Sequence, residues 1–339
     1  TTLAFSTQPA GATSGSSFGT QPVVVIKDLE GNTVTSATDS VTVSITSGTG
    51  AAGASLVGTA TVLAENGVAT FTDLRIDKAG TGYTLTASSD SLSSAISSTF
   101  DVSPAAASIL VITSEPSSTA AGEAFSTQPV AQIQDAYGNV ITSSSASVTA
   151  SITLNTGAAG STLSGSTSVS AFYGVATFSG LSIDKAGSGY TLTLLSSNLT
   201  SAVTSEFSIL SANASGLAFS VQPSGGTAGE TSAPSTTVVI TDDLGNLVTD
   251  ASSDITVAIT SGTGDSSGEL LGAATVTAEY GIATFSAVLI EKAASGYTLT
   301  ATASLLTSDV SSSFNISPAT AATLAFTTEP GGSAANRAW

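Results

Sequence analysis

One stretch of 20 residues occurs three times in this chain at a constant spacing. Residues 67–86 read GVATFTDLRIDKAGTGYTLT, and close copies begin 107 and 214 residues later. The tyrosine of each copy keeps the same step of 107 residues, with no insertion or deletion: Tyr83, Tyr190 and Tyr297. A unit of this length is an ordinary domain size and can bury a hydrophobic core of its own. The sequence therefore predicts independent domains in series.

The register of the repeat sets the predicted domain boundaries. We place repeat 1 at residues 1–105, repeat 2 at 106–212 and repeat 3 at 213–319. The remaining residues, 320–339, carry LAFTTEP from Leu324, which matches LAFSTQP at the start of repeat 1. We expect residues 320–339 to be the start of a truncated fourth repeat and 324–328 to be its first strand.

Alternation of apolar and hydroxyl side chains predicts the fold class. Val41, Val43 and Ile45 are interleaved with Thr42 and Ser44, which is the period-2 pattern of a half-buried antiparallel strand. About seven such short strands can be traced in each repeat, and no segment keeps a helical period. The chain is therefore expected to be all-β, with tandem immunoglobulin-like β-sandwiches. The linkers at the repeat boundaries, residues 103–107, 210–214 and 317–321, are short, which favours a linear rod.

Two turn signals recur in every repeat. Asp-x-x-Gly-Asn supplies the capping side chain and the positive-φ residue of a tight β-turn, and it begins at Asp28, Asp135 and Asp242. Asn66-Gly67 lies between two strand-like runs and predicts a hairpin.

The second half of the repeated stretch predicts a buried corner. In immunoglobulin sandwiches, a tyrosine near the start of strand F bonds back to the chain of the preceding corner, two residues before a buried position. Tyr83 and Leu85 have this spacing. The candidate structural residues are thus Tyr83, Tyr190 and Tyr297, with the buried partners Leu85, Leu192 and Leu299.

The order of these motifs resembles a known family. Asp-x-x-Gly-Asn, Gly-Val-Ala-Thr-Phe and Ala-Gly-x-Gly-Tyr-x-Leu-Thr follow one another as in the bacterial immunoglobulin-like (Big) domains that occur in tandem in invasin/intimin-type surface proteins. The resemblance implies an extracellular, all-β array at the cell surface that serves as a stalk, spacer or fibre.

Composition excludes several classes of function. The chain has no histidine and no cysteine, which excludes Ser-His-Asp and Cys-His catalysis and thiolate or imidazole metal sites. Acidic residues outnumber basic ones by 24 to 6, which disfavours nucleic acid and anionic membranes as partners. No stretch is long and apolar enough for a membrane span. We expect neither enzymatic activity nor membrane insertion in this segment.

The recurring charged residues leave two chemical hypotheses. Asp101 and Glu115 flank the first linker and are weak candidates for calcium, although the other linkers do not keep both acids. No cofactor is expected otherwise, and EDTA should leave the melting temperature unchanged. A Lys–Asn isopeptide cross-link is the second hypothesis, with candidate residues Lys78, Lys185, Lys292, Asn32, Asn139 and Asn246.

Three functional interpretations remain open on the sequence. The first is a structural extracellular repeat array, a stalk, spacer or fibre-forming segment of a bacterial surface adhesin or filament, whose partners are neighbouring repeats or copies of itself. The second is a filament subunit that donates residues 324–328 to a neighbouring copy, with Leu324, Ala325 and Phe326 in the contact. The third is a module that binds a host surface or glycan.

Overall fold

A computed structural model describes residues 1–231 and 234–328 of the chain. Within these ranges every regular element is a β-strand, and no α-helix occurs. The prediction of an all-β chain of tandem β-sandwiches is confirmed.

Among the residues that the structure describes, each repeat contains twelve short strands. Repeat 1 has β1 (Thr2–Thr7), β2 (Ala12–Thr13), β3 (Val23–Lys27), β4 (Ser40–Ile45), β5 (Leu56–Val57), β6 (Thr61–Leu63), β7 (Val68–Thr70), β8 (Arg75–Ile76), β9 (Gly80–Tyr83), β10 (Leu85–Ser89), β11 (Leu92–Ile96) and β12 (Phe100–Ser103). Repeat 2 has β13 (Ile109–Ser114), β14 (Thr119–Ala120), β15 (Val130–Gln134), β16 (Ser147–Ile152), β17 (Leu163–Ser164), β18 (Ser168–Ser170), β19 (Val175–Thr177), β20 (Ser182–Ile183), β21 (Gly187–Tyr190), β22 (Leu192–Leu195), β23 (Ala202–Val203) and β24 (Phe207–Leu210). Repeat 3 has β25 (Gly216–Val221), β26 (Gly226–Thr227), β27 (Thr236–Thr241), β28 (Asp254–Ile259), β29 (Leu270–Leu271), β30 (Thr275–Thr277), β31 (Ile282–Phe285), β32 (Leu289–Ile290), β33 (Ala294–Tyr297), β34 (Leu299–Ala303), β35 (Leu306–Val310) and β36 (Phe314–Ser317).

Two sheets form the sandwich of each repeat. In repeat 1, β1, β3 and β7 form one antiparallel sheet, and β6, β4, β10 and β11 form the other. One parallel pair, Thr2 with Ser93, joins the two sheets at their edges. Repeat 2 has the same two groups as separate sheets, and repeat 3 has them joined as in repeat 1. A smaller sheet, such as β2–β12–β9 in repeat 1, lies at the end that carries the tyrosine corner.

The core of repeat 1 lies between the two sheets. Val24 and Ile26 of β3 face Val41 and Val43 of β4, and all four side chains are almost fully buried. Full burial of a side chain of this size stabilises the fold by roughly 1.5–3 kcal/mol. The alternation read from the sequence thus places one face of each strand in the core.

The two main sheets of repeat 1 contain seven strands, as expected, and the other five strands are short segments of two to four residues. Strands that looked continuous in the sequence pass from one sheet to the other and are split there. Tyr83 pairs with Phe100 in the small sheet, whereas Leu85, two residues later, pairs with Ile45 in the large one. Similarly, Pro9 lies between β1 and β2, because proline has no N–H to donate to a ladder.

The predicted hairpin at Asn66-Gly67 is also shorter than expected. Both residues have positive φ, 53° and 75°, as a type I′ turn requires, and Glu65 and Val68 exchange both backbone hydrogen bonds. Beyond this single pair the strands separate, since β6 pairs with β4 and β7 pairs with β3. The turn therefore connects the two sheets of the sandwich instead of closing a hairpin within one sheet.

The chain forms two compact units. One comprises Thr1–Thr119 with Glu123–Ile209 and so contains repeat 1 and most of repeat 2; the other comprises Ala120–Gly122 with Leu210–Trp339 and contains repeat 3. Each unit is considered by itself below.

The predicted strand at 324–328 is not formed among the described residues. Residues 321–326 have no regular structure, and the side chains of Leu324 and Phe326 are 103% and 80% exposed. A strand requires a second strand to pair with, and no pairing to 324–328 occurs in the part of the chain that the structure describes. The rest of the expected fourth repeat, 329–339, lies outside the described residues.

Candidate functional site

The Asp-x-x-Gly-Asn motif of repeat 2 folds into a tight turn capped by its own aspartate. The N–H of Asp135 donates to the carbonyl of Asn139 (2.9 Å), and Gly138 has φ +79°, a conformation that glycine adopts without strain. Oδ1 of Asp135 accepts hydrogen bonds from the N–H groups of Tyr137 and Asn139, both at 2.9 Å. One carboxylate oxygen is thus used to hold the turn together.

The second oxygen of Asp135 reaches across to repeat 1 and the linker. Oδ2 accepts hydrogen bonds from Ser14 Oγ (2.8 Å), from the N–H of Ala105 (2.9 Å) and from Asn139 Nδ2 (2.9 Å). Asp135 has no exposed surface. A carboxylate buried this completely needs such donors, because the loss of hydration is otherwise costly.

Asn139 and Lys78 complete the contact between the first two repeats. Asn139 Oδ1 accepts from the N–H of Ala79 (2.9 Å), and its Nδ2 donates to the carbonyl of Asp77 (3.0 Å). Lys78 Nζ donates to the carbonyl of Tyr137 (3.0 Å). The two motifs that recur in the sequence, the aspartate turn and the Asp-Lys-Ala corner, therefore bind each other across the boundary between repeats.

The ring of Tyr137 packs on a glycine of repeat 1. A Cβ added to Gly15 would lie 1.8 Å from the ring, and Gly15 has φ +71°. A glycine is thus required here both by the backbone and by the close approach of the ring. We name this set of contacts the junction; it comprises the aspartate turn 135–139, the corner 77–79, Ser14, Gly15 and Ala105.

The tyrosine corner holds the backbone of Lys78, which belongs to the junction. Tyr83 is fully buried, and its hydroxyl donates to the carbonyl of Lys78 at 2.8 Å. Tyr190 and Tyr297 make the same bond to Lys185 and Lys292, at 2.8 and 2.9 Å. Leu85, Leu192 and Leu299 are at most 2% exposed, and each donates its N–H to a buried hydroxyl of Ser97, Thr204 or Ser311.

The same aspartate turn has different surroundings in the other repeats. Asp28 accepts from the N–H and Nδ2 of Asn32, at 2.8 and 3.1 Å, and Asn32 is exposed. Asp242 is 3% exposed and accepts from the linker N–H of Ala212 at 2.9 Å as well as from Asn246. The turn is therefore a local structure in all three repeats, and its burial varies.

The electrostatics of Asp135 follow from these contacts. Burial alone would raise the pKa of Asp135, but the hydrogen bonds from Asn139, Ser14 and Ala105 outweigh it and hold the pKa at about 2. For Asp242, burial again acts upward, and the bonds from Asn246 and Ala212 lower the pKa below its usual value. Both carboxylates are thus kept ionised.

This pKa predicts acid sensitivity of the junction. A carboxyl group with a depressed folded-state pKa contributes stability above its unfolded pKa, about 3.9, which is lost as pH falls through the folded value. The stability difference between the wild type and Asp135→Ala is therefore expected to shrink between about pH 4 and pH 2. Urea unfolding of both proteins across this range measures it. A stability difference between the two proteins that does not change with pH would contradict the lowered pKa of Asp135.

The two calcium candidates lie in separate hydrogen-bonded sites. Asp101 accepts from the N–H of Gly82 (2.8 Å), and Glu115 accepts from the N–H of Ser205 (3.1 Å). The structure does not bring them together. Residues 1–231 and 234–328 contain no group of three or more Asp or Glu side chains placed to hold a metal ion.

Lys78 and Asn139, two candidate residues for the isopeptide cross-link, both lie in the junction. Lys78 Nζ donates a hydrogen bond to the carbonyl of Tyr137, and the side-chain amide of Asn139 is hydrogen-bonded to the backbone of Ala79 and Asp77. The hypothesis stays a prediction, which an intact mass lower by one ammonia per bond would support.

A pair of exposed aromatic residues was missed in the sequence. Phe172 and Tyr173 occupy the type I′ turn of repeat 2, are 75% and 65% exposed, and have ring centroids 4.4 Å apart. The corresponding residues of repeat 1 are Glu65 and Asn66. The sequence does contain a signal for this pair. The polar residues Glu65 and Asn66 mark the turn of repeat 1 as exposed, so the aromatic residues at the same position of repeat 2 are expected to be exposed as well.

The comparisons with known proteins give remote structural similarities. The adhesin FdeC of Escherichia coli is 19% identical (TM-score 0.34; 93% of this chain and 96% of that chain covered), and InvD of Yersinia pseudotuberculosis is 18% identical (TM-score 0.34; 92% and 96%). Invasin, described as a bacterial integrin-binding protein, is 15% identical (TM-score 0.32; 94% and 60%). No family model and no curated protein matches the chain. Among the described residues, no helix is long and apolar enough to cross a membrane.

Proposed function

We propose that this chain is a structural, extracellular array of β-sandwich repeats that acts as a stalk or spacer of a bacterial surface adhesin. The observation that carries the proposal is the junction. A spacer has to keep its domains in a defined orientation, and a short linker alone limits but does not fix that orientation.

The junction is suited to fix orientation because its bonds are directional and buried. Asp135 accepts hydrogen bonds from the first repeat, the linker and its own turn at the same time. Rotation of repeat 2 against repeat 1 would break several of them and deprive Oδ2 of Asp135 of its donors from Ser14 and Ala105. A fully satisfied polar network of this kind specifies one arrangement.

The recurring carboxylates support a structural interpretation over an enzymatic one. Asp28, Asp135 and Asp242 are each engaged by the backbone of their own turn. A pair of carboxylates could otherwise catalyse glycoside hydrolysis, but it would have to be free to act as acid and base. Residues that recur in every repeat are therefore explained by folding and by the junction.

Electron microscopy of the purified chain tests the spacer against a polymer. At the dilution of a negatively stained grid we expect isolated particles, because a spacer works within one chain. Ordered filaments would favour the alternative, a self-assembling subunit that donates 324–328 to a neighbour. Deletion of residues 324–339 would then abolish the filaments, whereas filaments that persist after the deletion would rule out that strand as the connection.

The exposed aromatic pair favours a second candidate function, the binding of a neutral glycan. Phe172 pairs with Val175, which pairs with Gln132 on the neighbouring strand, so these side chains share the outer face of the sheet. Gln134 Nε2 donates to Gln132 Oε1 at 2.9 Å. Aromatic rings can stack on a sugar ring, and neighbouring amide groups can form hydrogen bonds with its hydroxyls.

The glycan candidate is tested by removing the rings. Phe172→Ala combined with Tyr173→Ala should abolish retention on a glycan array, while Tyr280→Ala, at the same turn position of repeat 3 and 79% exposed, should not. Binding that is equal in all variants, or absent from the wild type, would exclude this candidate. Retention of a host protein instead of a glycan would assign the surface to a protein partner.

A further inference from the structure

One buried aromatic side chain of repeats 1 and 2 is missing from repeat 3. Phe18 and Phe125 are at most 4% exposed, and their rings pack edge-on against Phe100 and Phe207, with centroids 5.4 and 5.3 Å apart. The residue 107 positions after Phe125 is Ser232. Repeat 3 therefore has no aromatic ring at this position.

The missing ring belongs to a short segment that occurs in all three repeats. We name it the strap; it reads FGTQP at 18–22, FSTQP at 125–129 and SAPST at 232–236. Residues 232 and 233 lie outside the described part of the chain. The strands that follow keep the same register, since Thr237 pairs with Thr284 as Val23 pairs with Thr70. The change from phenylalanine to serine is thus a substitution and not a shift of register.

A glutamine fastens the strap in repeats 1 and 2. Gln21 Nε2 donates to the carbonyl of Leu74 at 2.9 Å, and Gln21 Oε1 accepts from the N–H of Leu74 at 3.1 Å. Gln128 makes the same two bonds to Leu181, at 3.2 and 3.0 Å. Repeat 3 has Ser235 at this position, which lacks the amide group and is too short to make this pair of bonds.

The space of the missing ring is only partly refilled in repeat 3. A cavity of about 20 Å³ remains there, which is room for about one water molecule. Its lining is mostly apolar and includes Leu270, Ile290, Leu299, Phe314 and Ile316. The atoms around such a void lose the packing contacts that a ring would give them.

A buried hydroxyl lies at the same cavity. Thr236 replaces Pro22 and Pro129, and it pairs with Phe285, which lengthens β27 by one residue. The side chain of Thr236 has no exposed surface, and its Oγ1 has no hydrogen-bond partner among the described residues. A buried hydroxyl without a partner destabilises the fold.

The core of repeat 3 is divided where the ring is missing. In repeat 1 a single cluster of buried side chains contains Phe18 and extends from the main sheets to Tyr83 of the corner. Among the described residues of repeat 3, a separate buried cluster lies beside the main one. It consists of Ile290, Tyr297 and Ile316. In repeat 3 the corner is therefore less firmly joined to the rest of the core.

We propose that repeat 3 is the yielding domain of the array, which opens first and at a lower urea concentration than repeats 1 and 2. This inference rests on the proposed spacer role, because a weak domain lets a stalk lengthen at one defined repeat while the junction between repeats 1 and 2 stays intact. Truncation of a buried phenylalanine shifts an unfolding equilibrium by a factor of roughly 100. That loss exceeds what one additional strand pair at Thr236 contributes.

Hydrogen–deuterium exchange of the full chain in low urea, followed by mass spectrometry, tests this order of opening. Peptides that contain β4, β16 and β28 are compared, since these strands are equivalent in the three repeats. We expect the equilibrium constant for opening to be at least about tenfold larger for β28 than for β4 and β16. Equal protection of the three strands, or weaker protection of β4 or β16, would overturn the proposal.

Exchanging the straps tests the cause. Ser232→Phe combined with Ser235→Gln restores the ring and the glutamine, and should reduce the opening of repeat 3 at least about tenfold. Phe125→Ser combined with Gln128→Ser should make repeat 2 open as readily as repeat 3. The matched control, Ser266→Phe at an exposed position of repeat 3, should leave the exchange of β28 unchanged.

The serine variant of repeat 2 decides the outcome if the phenylalanine variant of repeat 3 does not fold. Unchanged protection of β16 in Phe125→Ser with Gln128→Ser would contradict the proposal, whatever the variant of repeat 3 does. The spacer role is tested by the orientation of repeats 1 and 2, which does not involve the strap of repeat 3. The two proposals can therefore fail separately.

Discussion

Asp135→Ala is expected to lower the free energy of unfolding by roughly 3–5 kcal/mol, because it removes the acceptor of several buried donors at once. Ser14 Oγ, the N–H of Ala105 and Asn139 Nδ2 would lose the partner that they share. Leaving buried polar groups unsatisfied costs more than the net value of the bonds themselves.

The control for this prediction is the same substitution in repeat 1. Asp28→Ala removes an equivalent aspartate whose bonds are to Asn32 in its own exposed turn, so only a small loss is expected. Urea unfolding followed by circular dichroism measures both variants. Equal losses in the two variants would show that Asp135 stabilises its turn and not the junction.

Tyr83→Ala is expected to cause the second large loss, roughly 3–5 kcal/mol, because it empties the site of a fully buried ring. The ring stacks on Phe100, with centroids 6.0 Å apart, and covers Gly50, where a Cβ would lie 2.1 Å from it. Tyr83→Phe keeps the ring but leaves the carbonyl of Lys78 without the hydroxyl, and should cost about 1 kcal/mol.

An exposed tyrosine provides the matched control. Tyr280→Ala, in the solvent-exposed turn of repeat 3, should change the unfolding midpoint very little. The phenylalanine variant separates the ring from the hydroxyl in the same unfolding experiment. If Tyr83→Phe were as damaging as Tyr83→Ala, the hydroxyl and not the packing would be the main contribution of this residue.

The tyrosine corner and the strands could be predicted because their signals are local. Alternating Val41 and Val43 define a buried face, and Tyr83 and its acceptor Lys78 are five residues apart. The point at which a strand leaves one sheet for the other could not be predicted. It depends on which distant strand offers a partner, as when Phe100 pairs with Tyr83 and Ile45 with Leu85.

The junction could not be predicted, although Asp135, Asn139 and Lys78 are candidate residues on the sequence alone. Lys78 and Asn139 were considered as a chemical cross-link, and Asp135 as a turn residue. Their contact joins positions about sixty residues apart across a domain boundary, where no periodic pattern applies. The same motif also has different surroundings: Asp28 and Asp135 both begin an Asp-x-x-Gly-Asn turn, but only Asp135 is fully buried.

The measurement that tests the central claim most directly is the distance distribution between repeats 1 and 2, obtained by double electron–electron resonance. Spin labels at Ser94→Cys and Thr177→Cys, both exposed, suit a chain without native cysteine. The junction predicts a narrow distribution in the otherwise wild-type protein, a broad one with Asp135→Ala and a narrow one with Asp28→Ala. A distribution that is broad already in the wild type, or that stays narrow with Asp135→Ala, would contradict the account.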